Sequence, residues 1–195
     1  MNMTTFDFGN GPVPAHKHPN GGGWVADTAT VADTAYVGSD AKVFANAQVF
    51  ENAKVYGSAW VYDNALVFDN ARVYGNAQVS GNARVSGNAH VSDHAWVYGN
   101  AHVSDHAWVY GDAEVYGNAQ VVYNAQVFEN AQVFENAKVY GDALVFDYAQ
   151  VFANAQVYGN ARVSGNAHVS DNAEVAEEDV FIEMNGKRYK LVEVE

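Results

Sequence analysis

Apolar and polar positions recur in blocks of six without a slip. Valine stands at every sixth residue from Val25 to Val175, 26 times in succession. Alanine stands two residues before each of these valines from Val31 on, from Ala29 to Ala173. The stretch Asn76-Ala77-Gln78-Val79-Ser80-Gly81-Asn82-Ala83-Arg84-Val85 shows the unit: aromatic or Ser, then Gly, Asp or Glu, then Asn, Ala, a variable residue and Val. On a strand, residues two apart point to the same side, so Ala and Val share one side and the neighbours of Val share the other. A helix is excluded, because six is not a helical period and Val with repeated Gly-Asn disfavours one. The pattern predicts short strands that turn Ala and Val into a narrow core. It places a sharp corner at the Gly/Asp/Glu-Asn pair, where Gly and Asn supply positive φ. A constant short period over most of a chain is the mark of a solenoid, in which each unit touches mainly its neighbours.

The pattern divides the chain into three segments. Residues 1–23 lie outside the repeat and hold all three prolines, the cluster His16-Lys17-His18 and Gly21-Gly22-Gly23, which reads as a lead-in or cap with flexible glycines. Residues 24–176 are the repeat. Residues 177–195 change character: Phe181-Ile182-Glu183-Met184 and Lys187-Arg188-Tyr189-Lys190-Leu191-Val192 alternate around Asn185-Gly186. Asn-Gly between two alternating runs predicts a hairpin. It is expected to cap the open end of the solenoid, where strand edges are otherwise unpaired.

The Val/Ala hexapeptide resembles the hexapeptide-repeat, left-handed parallel β-helix proteins over about four fifths of the chain. Tyr, Phe or Ser directly after Val departs from that family's usual pattern. The resemblance implies an all-β, single-stranded left-handed parallel β-helix with three hexapeptides per coil, about nine coils and a C-terminal β-hairpin cap. At ~4.8 Å per rung the rod is roughly 42 Å long. The segments Asn10-Gly11-Pro12-Val13-Pro14 and Asn20-Gly21-Gly22-Gly23-Trp24-Val25-Ala26 also resemble hexapeptide-repeat proteins of phages and prophages. That likeness implies an accessory role in a bacterial host cell's cytoplasm.

With 18 residues per coil, outward positions fall into columns. One face carries Lys54, Arg72 and His90 on consecutive rungs, beside Tyr56, Tyr74, Trp108 and Tyr110. Cations interleaved with rings suit a phosphate and a stacked base, which makes these seven residues a candidate site for a nucleotide-like or other anionic ligand. The other reading is a solvated face, with Glu51 and Asp69 pairing around the corner with Lys54 and Arg72. A second face carries Trp24, Trp60 and Trp96 beside Tyr62, Tyr98, Tyr116, Phe134 and Phe152. Such outward aromatic rows suit self-association, making a homo-oligomer the expected state, or they serve only to stabilise the strands. The acidic column Asp33, Glu51, Asp69 has the oxygen chemistry of a divalent-cation site. Its basic neighbours explain it equally, and no metal is expected.

Composition narrows the function. The formal net charge is −13, which argues against wrapping DNA or docking on an anionic membrane and fits either simple solubility or a basic partner. There is no cysteine, so disulfides and thiolate metal sites are excluded. No apolar run is long enough to span a membrane, and no secretory signal pattern opens the chain, so an intracellular protein is expected. Asn88–Gly99 recurs unchanged as Asn100–Gly111, which a duplication explains. Twelve residues is two thirds of a coil, so His94 and His106 fall in different columns and do not suggest one metal site.

Many hexapeptide-repeat proteins are CoA-dependent acyltransferases with a loop that breaks the coil and a histidine base. Here the period is unbroken, and His90, His94, His102, His106 and His168 occupy ordinary repeat positions. No catalytic residue and no cofactor is assigned, since a general base needs a pocket that orients it. The expected function is a non-catalytic binding or assembly protein that self-associates and takes a host protein or an anionic small ligand. A hexapeptide-repeat acyltransferase and an acidic nucleic-acid mimic are the alternatives. Ice binding is set aside, because Thr occurs only between residues 4 and 34.

Overall fold

The computed structural model describes residues 4–176, 181–184 and 187–190. Each hexapeptide contributes one strand, in most cases the two residues x-Val, and a corner of four residues separates it from the next. Strands 18 residues apart pair in parallel and in register, as in Gln78↔Trp96 and Val79↔Val97. Three faces result. The first runs from Trp24–Ala26 to His168–Val169, the second from Thr30–Val31 to Glu174–Ala176, and the third from Tyr36–Val37 to Arg162–Val163. The chain is an all-β parallel β-solenoid of eight to nine coils, matching the β-helix expected from the hexapeptide, with no helix among the described residues.

The core is as narrow as the repeat implies. Every valine from Val37 to Val157 and every alanine from Ala35 to Ala161 at the two inward positions is fully buried, in one continuous cluster. Burial of a valine side chain contributes roughly 1.5–3 kcal/mol, so identical small contributions add along the rod. The small alanine side chain leaves room in this narrow core for the valines.

The corners correct one expectation. Positive φ belongs to the residue before Asn and not to Asn itself. It is adopted by Gly57, Gly75 and Gly99, but also by Glu51, Asp63, Asp69, Asp93 and even Tyr123. Most corners are four-residue turns closed by the alanine amide, as in Ala47 N–H donating to Phe44 O at 3.3 Å. The carboxylates at this position accept from the backbone amide one coil on: Asp63 from Gly81 at 3.1 Å, Asp69 from Gly87 at 2.8 Å and Asp93 from Gly111 at 3.2 Å. This local hydrogen bond offsets the strain of a non-glycine residue in the left-handed region.

Asn has a different role, and only one corner uses it fully. Between the first and second faces, Asn46, Asn64, Asn82, Asn100, Asn118, Asn136, Asn154 and Asn172 form an unbroken ladder, each side-chain amide donating to the next carbonyl oxygen at 2.9–3.4 Å. The other two corners interrupt the column with Ser58, His94, His106 or Tyr148.

The N-terminal segment is built tightly. Strands Thr5–Asp7 and Pro12–Lys17 form an antiparallel hairpin that extends the first face through Trp24–Ala26. Residues 18–23 then take the place of a first rung on the third face: Val37 N–H donates to Asn20 O at 3.0 Å, and Gly23 N–H to Val37 O at 2.9 Å. The glycines are not a flexible leader. A Cβ on Gly21 or Gly23 would lie 2.3 Å from the carbonyl oxygen of Val37 or Gly38. The basic cluster also disperses, with His18 buried and its Nε2 donating to Ala35 O at 3.0 Å, while His16 pairs with Asp27 at 2.9 Å. At the other end, Phe181–Met184 and Lys187–Lys190 pair antiparallel. The Asn185-Gly186 turn, and with it the expected cap, lies outside the described residues.

Candidate functional site

All seven residues of the candidate anion site stand on the third face. The positions before Val run in register as Tyr36, Lys54, Arg72, His90, Trp108, Gln126, Leu144 and Arg162. The positions after Val run as Gly38, Tyr56, Tyr74, Ser92, Tyr110, Phe128, Phe146 and Ser164. These sixteen positions hold three cations and no acid, in a chain whose formal net charge is −13.

The rings form a linked series. Tyr56 and Tyr74 stack at 5.0 Å, and Tyr110, Phe128 and Phe146 stack at 4.9 and 5.0 Å. Ser92 breaks the column, and the gap is spanned sideways by His90 and Trp108, stacked at 5.0 Å. His90 meets Tyr74 edge-on at 6.0 Å, and Trp108 meets Tyr110 edge-on at 6.2 Å. Burial first, and the Arg72 charge second, hold the His90 pKa below its ordinary value. His90 is therefore neutral at pH 7, and its Nδ1 is buried without a hydrogen-bond partner. Burial, with Arg84 second, likewise lowers His102 on the second face.

Lys54 and Arg72 are exposed and directly opposite each other. The expected pairing with Glu51 and Asp69 does not form: the one ion pair among the described residues is His16–Asp27, and Asp69 is committed to the Gly87 amide. The Asp69 carboxylate reaches forward along the coil axis to the backbone of the next coil, away from the strand that follows it. A groove of about 550 Å³ opens here, lined by Asn20, Thr34, Tyr36, Asn52, Lys54, Tyr56 and Arg72. Asn20 comes from the lead-in and could not be placed from sequence. Thr34 and Asn52 share a corner column 18 residues apart and were legible by the same arithmetic as the strands.

The first face is more self-contained than its sequence implies. Trp24 stacks on Phe6 of the hairpin at 4.5 Å, and Lys42 Nζ lies 4.5 Å from the Trp60 ring. Tyr62 stacks with Phe44 at 5.0 Å, and Tyr98, Tyr116, Phe134 and Phe152 form a continuous column at 4.8–5.0 Å. Trp96 bends over Ser80, its Nε1 donating to Ser80 Oγ at 3.3 Å, yet stays 38% exposed. Most of these rings are half-buried by one another, which serves strand stability as directly as docking. Tyr123 and Tyr148, at 59% and 64% more exposed than the other large apolar side chains among the described residues, lie at the two corners bordering the third face.

The acidic column Asp33, Glu51, Asp69 gathers no group of three or more metal-type ligands among the described residues. His94 and His106 sit at different corners, as the 12-residue offset requires.

A family model described as YdcK Beta solenoid repeat matches residues 77–93 and 155–171, each stretch about one coil long. Together with the parallel rungs, this identifies a β-solenoid repeat protein. No curated protein and no solved structure matches the chain at a level from which a relationship could be drawn.

Proposed function

We propose that the chain is a non-catalytic binding and assembly protein of the hexapeptide-repeat, left-handed β-helix type, and that its third face takes an anionic ligand or host factor. The observation that carries this reading is the Lys54–Arg72 pair. Two cationic residues lie directly opposite on adjacent strands, whose backbones run about 4.8 Å apart, and like charges so placed destabilise a sheet. Among the described residues, no carboxylate lies within ion-pair distance of either. A site that costs stability and lacks an internal counter-ion suits an external anion. The exposed Trp96 supports self-association through the first face. A phage or prophage accessory role in the host cytoplasm completes the proposal, on the strength of the N-terminal sequence likeness.

Native mass spectrometry of the protein purified from cells tests both parts. A multimer carrying extra small-molecule mass, lost in the double variant Lys54→Ala/Arg72→Ala, is the expected result. A bare monomer whose spectrum the double variant leaves unchanged would refute it.

A further inference from the structure

The third-face groove has one aromatic surface that the column leaves open. Tyr56 is the first ring of its stack. Tyr74 covers one side at 5.0 Å with the planes 2° apart. On the other side the column position is Gly38, which carries no ring. Tyr36 lies beside that glycine, since a Cβ on Gly38 would lie 3.4 Å from Tyr36 Cε1 and 3.0 Å from Tyr56 Cβ. The groove of about 550 Å³ opens at this step, and pockets of this size hold small organic ligands.

The spacing decides where a ligand ring can go. A planar ring inserted between two others needs about 7 Å, twice the contact distance of ~3.5 Å. The Tyr56–Tyr74 stack, at 5.0 Å, is too tight to admit one. The same holds for Tyr110, Phe128 and Phe146 at 4.9 and 5.0 Å. A base therefore cannot intercalate within these stacks, His90 and Trp108 span the gap at Ser92, and a long single strand finds no series of slots. One ring can stack at the open end, on Tyr56 beside Tyr36, within reach of the Lys54 and Arg72 side chains that line the same groove. Asn20, Thr34 and Asn52 complete the rim with amide and hydroxyl groups.

We propose that this groove binds a small planar aromatic anion, a ring bearing a phosphate or carboxylate, with the ring on the open side of Tyr56 and the anionic group bridging Lys54 and Arg72. The inference rests on the anion-binding reading of this face and adds the ring and the single-ligand limit to it.

Isothermal titration of the full chain with inorganic phosphate, phenol, phenyl phosphate and benzoate tests it. Phenyl phosphate or benzoate is expected to bind at least about tenfold more tightly than inorganic phosphate or phenol, the gain typical of one aromatic stacking contact. The stronger of the two identifies the anionic group. Tyr56→Leu should bring the aromatic anion down to the level of phosphate and leave phosphate binding unchanged. Arg72→Gln, at an exposed position, should weaken both anions together and raise thermal stability slightly in the absence of ligand. Equal affinity for phosphate and phenyl phosphate would overturn the aromatic inference while sparing the anion reading. No binding of any probe would overturn both.

Discussion

The asparagine ladder can be tested against the protein's own repeat. Asn100 donates to Asn118 and accepts from Asn82, each at 3.1 Å. Asn76 stands at the same place in the hexapeptide on another corner, where Ser58 and His94 occupy the adjacent rungs and offer no amide. Replacing either by Ala changes local turn propensity equally, so the difference between the two variants isolates the ladder. Asn100→Ala removes two hydrogen bonds and leaves Asn82 and Asn118 with one ladder bond each in place of two. At ~0.5–1 kcal/mol per exposed bond, the loss is about 1–2 kcal/mol. In a chain of this size that lowers Tm by roughly 2–8 °C. Asn76→Ala should shift it by no more than about 2 °C. Differential scanning calorimetry measures both, and urea titration checks that the transition stays cooperative, since solenoids can unfold in parts. Equal Tm shifts for the two variants would show that the ladder contributes nothing beyond the generic corner.

Three further outcomes follow from the same structure. Val97→Asp puts a charge between Val79 and Val115 with no polar partner, and should cost more than ~4 kcal/mol; an unchanged melt by circular dichroism would reject the inward placement of valine. Gly23→Ala would drive a Cβ to 2.3 Å from Gly38 O and 2.5 Å from Val37 Cγ1, displacing residues 18–23. It should cost about 2 kcal/mol or more, with faster amide exchange at Gly23, and wild-type exchange there would count against the packed reading. Stability should also fall at both ends of the pH scale. Burial raises the pKa of Tyr56, Tyr98, Tyr110, Tyr116 and Tyr140, and at Tyr98 the hydrogen-bonded Glu114 adds to it. The unfolded chain then loses these protons first, so their stabilisation is complete below about pH 10 and is lost as pH rises further. His90 and His102 are lowered, so the unfolded chain gains protons first, and stability is lost as pH falls below about 6.5. Tm against pH for the wild type and Tyr98→Phe checks the alkaline limb, and identical slopes above pH ~10 would contradict it.

Most of this architecture was readable because one short rule governs it. Val and Ala two apart fix what faces inward, and the 18-residue coil places Lys54 above Arg72 and Tyr56 above Tyr74, as the register has them. The same arithmetic applied to the corners puts eight asparagines in one column, but the backbone freedom of Asn gives no sign that their side chains join into a ladder. Period alone says nothing of direction, so it could not tell that Asp69 reaches along the axis to Gly87 and leaves Arg72 unpaired. The N-terminal segment has no period at all. Its hairpin and the close contacts of Gly21 and Gly23 depend on tertiary fit to the first coil.

Identical inward residues at every hexapeptide also set what insertions and deletions can do to this molecule. Any gain or loss of six residues leaves Val beneath Val and Ala beneath Ala, so the core accepts it. Only a multiple of eighteen keeps each outward residue on its own face. The repeated segment Asn88–Gly99/Asn100–Gly111 puts the same His-Val pair on the third face at His90 and on the second at His102, and the same tryptophan on the first face at Trp96 and on the third at Trp108. A twelve-residue copy therefore rotates everything beyond it by two faces. Lineages of such chains can change what they display to the outside in one step, while the interior that holds them together never registers the event.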